Sequence, residues 1–443
     1  MEAELRRTWK RTVDAAELAQ VITDRKVRQL LRGVRREPEP TPWIRAALLG
    51  AGTGLAVGTA LAGIMSSASA YLARVVVTPV HDETEDLEVL AVIEDSDGLQ
   101  VILPVTADTV VEGTYGLHFD RGSSVAQIGE ITSLEPKHGT VTRRVLGVNG
   151  GDLRKTRSAF ISSALYRNPA EAGFDYSEVT LNLPVGEAPA WYVPNHNPKG
   201  PLAGKNVWGV MVHGRTGTRV EGIKALNTAR RLGMESLLVS YRNDGVAPAG
   251  PDGLYGLGGT EWEDVEVAVQ YALDHGAGDV VLFGWSMGGA VALQTADQSP
   301  LSPRIRGMVL TGPVIDWIDV LSHQARARRV PEPVGKLAQW LLSNDAGRTV
   351  TGLAAPLDLK ALNWIARSDQ LHTRSLILHS VDDEVVPYQP SRELAERNRL
   401  VSFVPFHRAR HVKEWNCDPE RWESAVYEWA TDLFSAPLPG QSP

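Results

Sequence analysis

The chain has 443 residues, enough for two or three domains of ordinary size. Its apolar and charged fractions, 43% and 22%, are those of folded globular protein and exclude a largely disordered chain. A net charge of -8 argues against nucleic acid as a general partner, and a single cysteine, Cys417, excludes an intrachain disulfide or a cysteine-based zinc site.

Residues 1–45 form a basic segment, predicted helical over 2–36 from Leu5, Trp9, Val13, Leu18, Val21 and Leu30 spaced among charges. Pro38, Pro40 and Pro42 break it. Residues 46–73 then carry no charge at all, which exceeds the roughly 20 residues a helix needs to cross a bilayer, and a transmembrane helix is expected there; the alternative is a buried soluble helix, which Gly50, Gly52, Gly54, Gly58 and Gly63 would make poor without packing. Arg25, Lys26, Arg28, Arg32, Arg35, Arg36 and Arg45 precede it, whereas Asp82, Glu83, Glu85 and Asp86 follow. That asymmetry predicts a single-pass protein of the cell membrane, N-terminus cytoplasmic and the large C-terminal part outside. Gly50, Gly54, Gly58 and Ala62 recur every four residues, a spacing that lets two such helices pair into a homodimer.

From residue 80 to 155 the pattern turns to short β-like runs (LEVLAVIE, LQVILPV, AQIGEIT, TVTRRVLGV). Asp97-Gly98, Arg121-Gly122 and His138-Gly139 break them, predicting a small β-rich domain in which nothing has catalytic spacing. A strand pair, YSEVTLNL and PAWYVP, follows. Beyond Asn206, apolar runs WGVMVH, SLLVSY, VVLFGW, GMVLTG, SLILHS and LVSFVPF alternate with helical patterns such as EWEDVEVAVQYALDHG. Continuous apolar strands between helices predict an α/β fold, a mostly parallel sheet covered on both faces.

The VVLFGW strand runs straight into Gly284-Trp285-Ser286-Met287-Gly288-Gly289. A GxSxG at a strand-to-helix junction is a nucleophile elbow: the tight turn lifts the serine oxygen above the sheet, at a helix N-terminus whose dipole favours negative charge. The Met287 N–H, next after the serine, is one expected oxyanion donor. A serine needs a base oriented by a carboxylate, and these should follow later strands in the order acid, then histidine. SLILHS is followed by Asp382 and Asp383, LVSFVPF by His407 and His411.

On these residues, from about Tyr176 to Phe434, the chain resembles the α/β-hydrolase superfamily, especially its esterase/lipase-like and serine-aminopeptidase-like members. The stretch His379-Ser380-Val381-Asp382-Asp383-Glu384-Val385-Val386-Pro387 matches the family's acid pattern with Ser380 in place of glycine, and the alignment selects Asp383 over Asp382. The family's histidine spacing selects His411 over His407. His213-Gly214-Arg215 resembles its oxyanion loop, which implies a second N–H from Arg215 and an ordering role for His213. The resemblance bounds the hydrolase domain at 174–436 and makes residues 313–372 a cap insertion, where Trp317, Trp340 and Trp364 are candidates for an acyl pocket that packing explains equally well. The region from Tyr115-Gly116-Leu117 onward is similar to membrane-linked actinobacterial hydrolases.

The expectation is therefore a membrane-anchored serine hydrolase acting on a small-molecule or lipid ester through an acyl-enzyme, without metal or organic cofactor. The same triad also serves acyl transfer and peptide cleavage, and a catalytically silent, membrane-bound interaction module is the reading from another class.

Overall fold

The computed structural model describes residues 54–80, 84–96 and 98–435. The basic segment and the Gly50 end of the small-residue stripe lie outside the described residues.

The first described element is helix α1, Gly54–Val77. Among the described residues no helix is long and apolar enough to cross a membrane. The expected span of 46–73 also needs correction at its C-terminal end. The helix continues to Val77, and Ser69, Ala73 and Val77, one face at i, i+4 and i+8, are completely buried against protein. Apolarity in Ala-Gly-Ser sequence does not say whether the neighbour is lipid or a packed protein surface; for the face through Ser69, Ala73 and Val77 it is protein.

Seven antiparallel strands follow: β1 (Leu87–Glu88), β2 (Ala91–Asp95), β3 (Gly98–Pro104), β4 (Tyr115–Phe119), β5 (Ser124–Glu135), β6 (Thr140–Asn149) and β7 (Ser158–Ser162). They form one sheet in the order β1-β7-β4-β5-β6-β3-β2. Its core is a cluster around Val101, Leu103, Tyr115, Leu117, Phe119 and Ile128. Strand β7 pairs with both β1 and β4, so this unit runs to Ser162 rather than ending at residue 155.

The second sheet has eight strands: β8 (Ser177–Leu183), β9 (Gly186–Val193), β10 (Val207–Val212), β11 (Glu235–Val239), β12 (Asp279–Trp285), β13 (Ile305–Thr311), β14 (Ser375–Ser380) and β15 (Val401–Phe406). Their order is β15-β14-β13-β12-β10-β11-β9-β8. From β11 to β15 neighbours are parallel, while β8 and β9 form an antiparallel edge. Alternate residues serve opposite faces: Trp208, Val210 and Val212 of β10 join one core, Val207 and Met211 the other. Helices α2 (Leu226–Leu232) and α10 (Pro419–Ser435) cover the second face, with Leu226, Ala229, Leu232, Trp422, Val426 and Leu433 inward. Helices α3 (Trp262–Asp274) and α4 (Met287–Gln298) cover the first. Helix α8 (Gln389–Arg397) adds Leu394 to that face, and the four-residue α9 (Glu414–Cys417) precedes α10.

Between β13 and β14 the chain leaves the sheet for α5 (Trp317–Ala327), α6 (Glu332–Ser343) and α7 (Arg348–Thr351). Helix α1 packs along α6. A cavity of about 60 Å³ lies between α1, α5 and α6, lined by Leu72, Val76, Leu321, Ala338 and Leu342 among others.

Candidate active site

Strand β12 ends at Trp285 and α4 starts at Met287, so Ser286 alone makes the turn. Its φ of 52° and ψ of -116° are strained for a non-glycine residue. The surrounding glycines make room: a Cβ on Gly284 would lie 2.6 Å from the Gly288 carbonyl oxygen, and one on Gly288 would lie 2.2 Å from that of Val212. The crowding that creates the elbow is thus backbone against backbone.

The structure brings the three expected side chains into one line. The Ser286 hydroxyl donates to His411 Nε2 at 2.8 Å, and His411 Nδ1 donates to Asp383 Oδ2 at 2.7 Å. The alternatives lie elsewhere. His407 is exposed, and Asp382 Oδ2 accepts the Arg408 N–H.

Asp383 is buried, which alone would raise its pKa. The charges and hydrogen bonds of His411 and His379 outweigh this and hold the carboxyl well below the usual range. Burial likewise pushes the His411 imidazole down, but the Asp383 carboxylate more than reverses it, and the net shift is upward. The His411 side chain keeps 14% of its exposure.

The oxyanion turn is built by a buried polar cluster. His213 stacks on Tyr241 with ring centroids 4.2 Å apart and donates from Nε2 to Asp244 at 3.2 Å. The Tyr241 hydroxyl reaches the His213 carbonyl at 2.9 Å, which orders the turn as expected of His213. A Cβ on Gly214 would lie 3.1 Å from Ser286 Cβ, so this turn borders the nucleophile. The neighbouring amides are taken: Gly214 N–H donates to Glu221 Oε2, Thr216 N–H to the Tyr255 hydroxyl and Gly217 N–H to the Gly214 carbonyl. The Arg215 N–H has no partner among the described residues, and Met287 N–H is one of the first-turn amides that a helix leaves unpaired. The Arg215 side chain points away, to the end of α1, donating to the carbonyls of Val75 (2.7 Å) and Thr78 (3.2 Å).

Sequence reasoning missed three buried neighbours. His379 donates from Nε2 to Asp383 Oδ2 at 3.2 Å and accepts from Ser391 at Nδ1. Lys224, deep beneath the elbow, donates to the Val412 carbonyl at 3.1 Å and pairs with Glu221 at 3.4 Å. Val412, next to His411, has a φ of 51°, rare for a β-branched residue, and the Lys224 bond helps hold it there. Glu414 accepts the Ser380 N–H through Oε1, and burial pushes its pKa up to about 7. Only His379 lay within a quoted motif; long-range lysine and glutamate contacts leave no local signal.

Trp317 is buried and donates to the Leu257 carbonyl, Trp364 is buried beneath Arg367, and Trp340 is half exposed. Packing accounts for Trp317 and Trp364, and Trp340 is at the surface. Among the described residues no cluster of His, Cys, Asp and Glu could hold a metal ion.

An eight-stranded, mostly parallel sheet carrying an elbow serine after a central strand, an acid after β14 and a histidine after β15 defines an α/β-hydrolase fold. The chain belongs to the alpha/beta hydrolase family, whose model matches residues 210–438. Residues 88–162 match a second model, Domain of unknown function (DUF8805). No curated protein matches the chain in sequence. Among solved structures, an esterase from Pyrococcus furiosus is similar at 17% identity and a TM-score of 0.46, over 60% of this chain and 94% of that one. A thermophilic esterase from Thermogutta terrifontis is 19% identical with a TM-score of 0.39, covering 58% and 99% of the respective chains. Est1E from Butyrivibrio proteoclasticus, with ferulic acid bound, is 15% identical at a TM-score of 0.43, covering 58% and 100%.

Proposed function

We propose that this protein is a serine hydrolase that cleaves a carboxylic ester, lipidic or small, through an acyl-enzyme on Ser286. The observation that carries the reading is the continuous hydrogen-bonded line from Ser286 through His411 to Asp383, with the serine oxygen at the start of α4. His411 takes the serine proton as Oγ attacks the carbonyl and gives it to the leaving alkoxide. Asp383 holds the ring in the tautomer that leaves Nε2 free to accept, and stabilises the imidazolium. The Met287 and Arg215 amides receive the oxyanion. Water then attacks the acyl-enzyme with the same base, and serine and acid are released.

The test is labelling of the full chain by a fluorophosphonate. Wild type is labelled and Ser286→Ala is not, while Asp383→Asn falls by about 10⁴-fold. Equal labelling of wild type and Ser286→Ala would sink the reading. Screening of ester, peptide and acyl-acceptor substrates then separates hydrolysis from the other uses of the same triad.

Attachment to a membrane, with the hydrolase domain outside, is supported by sequence alone: the uncharged residues 46–73 and the basic flank before them. With Ser69 onward packed on protein, the stretch available to lipid under this reading is its N-terminal part. A C-terminal reporter active only outside the membrane is the expected result, and cytoplasmic activity overturns it.

A further inference from the structure

The loop between β3 and β4 of the β-rich domain lies against the segment that carries His411. Asp108 accepts from Lys413 Nζ at 2.6 Å and faces Arg410 Nε at 3.3 Å, so it meets residues on both sides of the histidine. Burial alone would raise the Asp108 pKa; the two cations bring the net shift down. Glu112 pairs with Arg408 at 3.3 Å. The main chains are also joined: Thr114 N–H donates to the Asn416 carbonyl at 3.0 Å, and the buried Asn416 amide donates to the carbonyls of Thr114 and Ser163 at 2.8 Å each. Gly113 sits so close that an added Cβ would meet the Asn416 carbonyl oxygen at 2.1 Å.

The loop is itself held rigid at high cost. Arg143 of β6 is completely buried, and its guanidinium donates only to carbonyls: Gly129 twice, Thr109, Val111 and Gly113. Burial pulls its pKa down to about 10. A desolvated cation with all five donors spent on backbone ties the loop to the sheet, and such a cost suits a loop whose position matters.

We propose that the β-rich domain positions the catalytic histidine: its loop 105–114 is a buttress for residues 408–417. This rests on the reading of Ser286 and His411 as nucleophile and base. It makes Asp108 and Lys413 positioning residues, touching neither substrate nor the reacting atoms.

The test is a double-mutant cycle on the full chain, Asp108→Ala, Lys413→Met and both, read by the rate of fluorophosphonate labelling. Each single change should slow inactivation at saturating probe roughly fivefold while leaving the half-saturating probe concentration unchanged, and the pair should be no slower than the slower single. Asp108→Glu should recover part of the loss. Amide hydrogen exchange of residues 408–417 should quicken in Asp108→Ala while that of β12 and β13 stays as in wild type. Single variants labelled at the wild-type rate, or losses that simply multiply in the double variant, overturn the proposal. If wild type itself is not labelled, the nucleophile reading fails separately, and exchange decides the buttress: unchanged exchange in 408–417 overturns it.

Discussion

Two appended pieces reach the candidate site from opposite sides, and they hold it by different physics. Helix α1 arrives at the oxyanion turn. Its last carbonyls, which a helix leaves unpaired, receive the Arg215 guanidinium at Val75 and Thr78 and the Tyr255 N–H at Val77 (2.8 Å). Behind that end lie an apolar seam against α5 and α6 and a bond from the Arg74 guanidinium to the Thr351 carbonyl at 3.3 Å. The β-rich domain arrives at the histidine segment through carboxylates, cations, one main-chain bond and the Asn416 side-chain amide. The link from α1 to the oxyanion turn itself runs through one side chain, Arg215, whereas the link to the histidine segment is spread over several. The expectation is that the first is easily cut and the second degrades in steps.

Arg215→Met sharpens that contrast most. The variant keeps the backbone N–H proposed for the oxyanion and loses the guanidinium bonds to α1 and its contact with the Tyr255 ring, so any effect is positional. Labelling of Ser286 should fall about tenfold, with Arg215→Lys recovering part of it. The melting temperature should move little, because the apolar seam of α1 remains. A wild-type rate in Arg215→Met would mean that the helix end is packing and nothing more, leaving the β-rich domain as the one appended piece that acts on the site.

The same contrast explains what could be read from sequence. The elbow is local: glycines, serine and the strand before it are contiguous in sequence, although Gly288 is also required by the neighbouring strand β10, whose Val212 carbonyl it meets. Asp383 and His411 follow strands in a fixed order, so topology delivers them once the sheet is recognised. The buttress has no such signature. Asp108 and Lys413 are 305 positions apart, and Lys224 lies 188 from Val412; neither pair shares an element whose periodicity could show it. The end of the uncharged segment, from Ser69 onward, was hard to read for another reason. Absence of charge marks a helix that avoids water, and the face through Ala73 and Val77 avoids it by packing on protein.

The two sides also differ in how they store a buried carboxylate, and this gives the smallest effect. On the oxyanion side Glu221 is paired with Lys224 and caps the Gly214 amide. On the histidine side Glu414 caps the Ser380 amide through Oε1, while Oε2 is buried with no partner among the described residues. Burial raises the Glu414 pKa from 4.5 to about 7, so the folded state binds a proton that the unfolded chain has already released. Stability from this group is therefore full below the unfolded pKa and is lost as pH rises from there to about 7, at no more than about 1.4 kcal/mol per pH unit. Glu414→Gln keeps an acceptor for Ser380 and removes the titration. Melting curves of variant and wild type should run together near pH 4 and separate toward pH 8, the variant becoming the more stable, with the labelling rate at pH 7 nearly unchanged. A gap that stays constant with pH would mean that Glu414 remains ionised in the fold, held by charge from the Lys224 side, and the two carboxylates would then be one network.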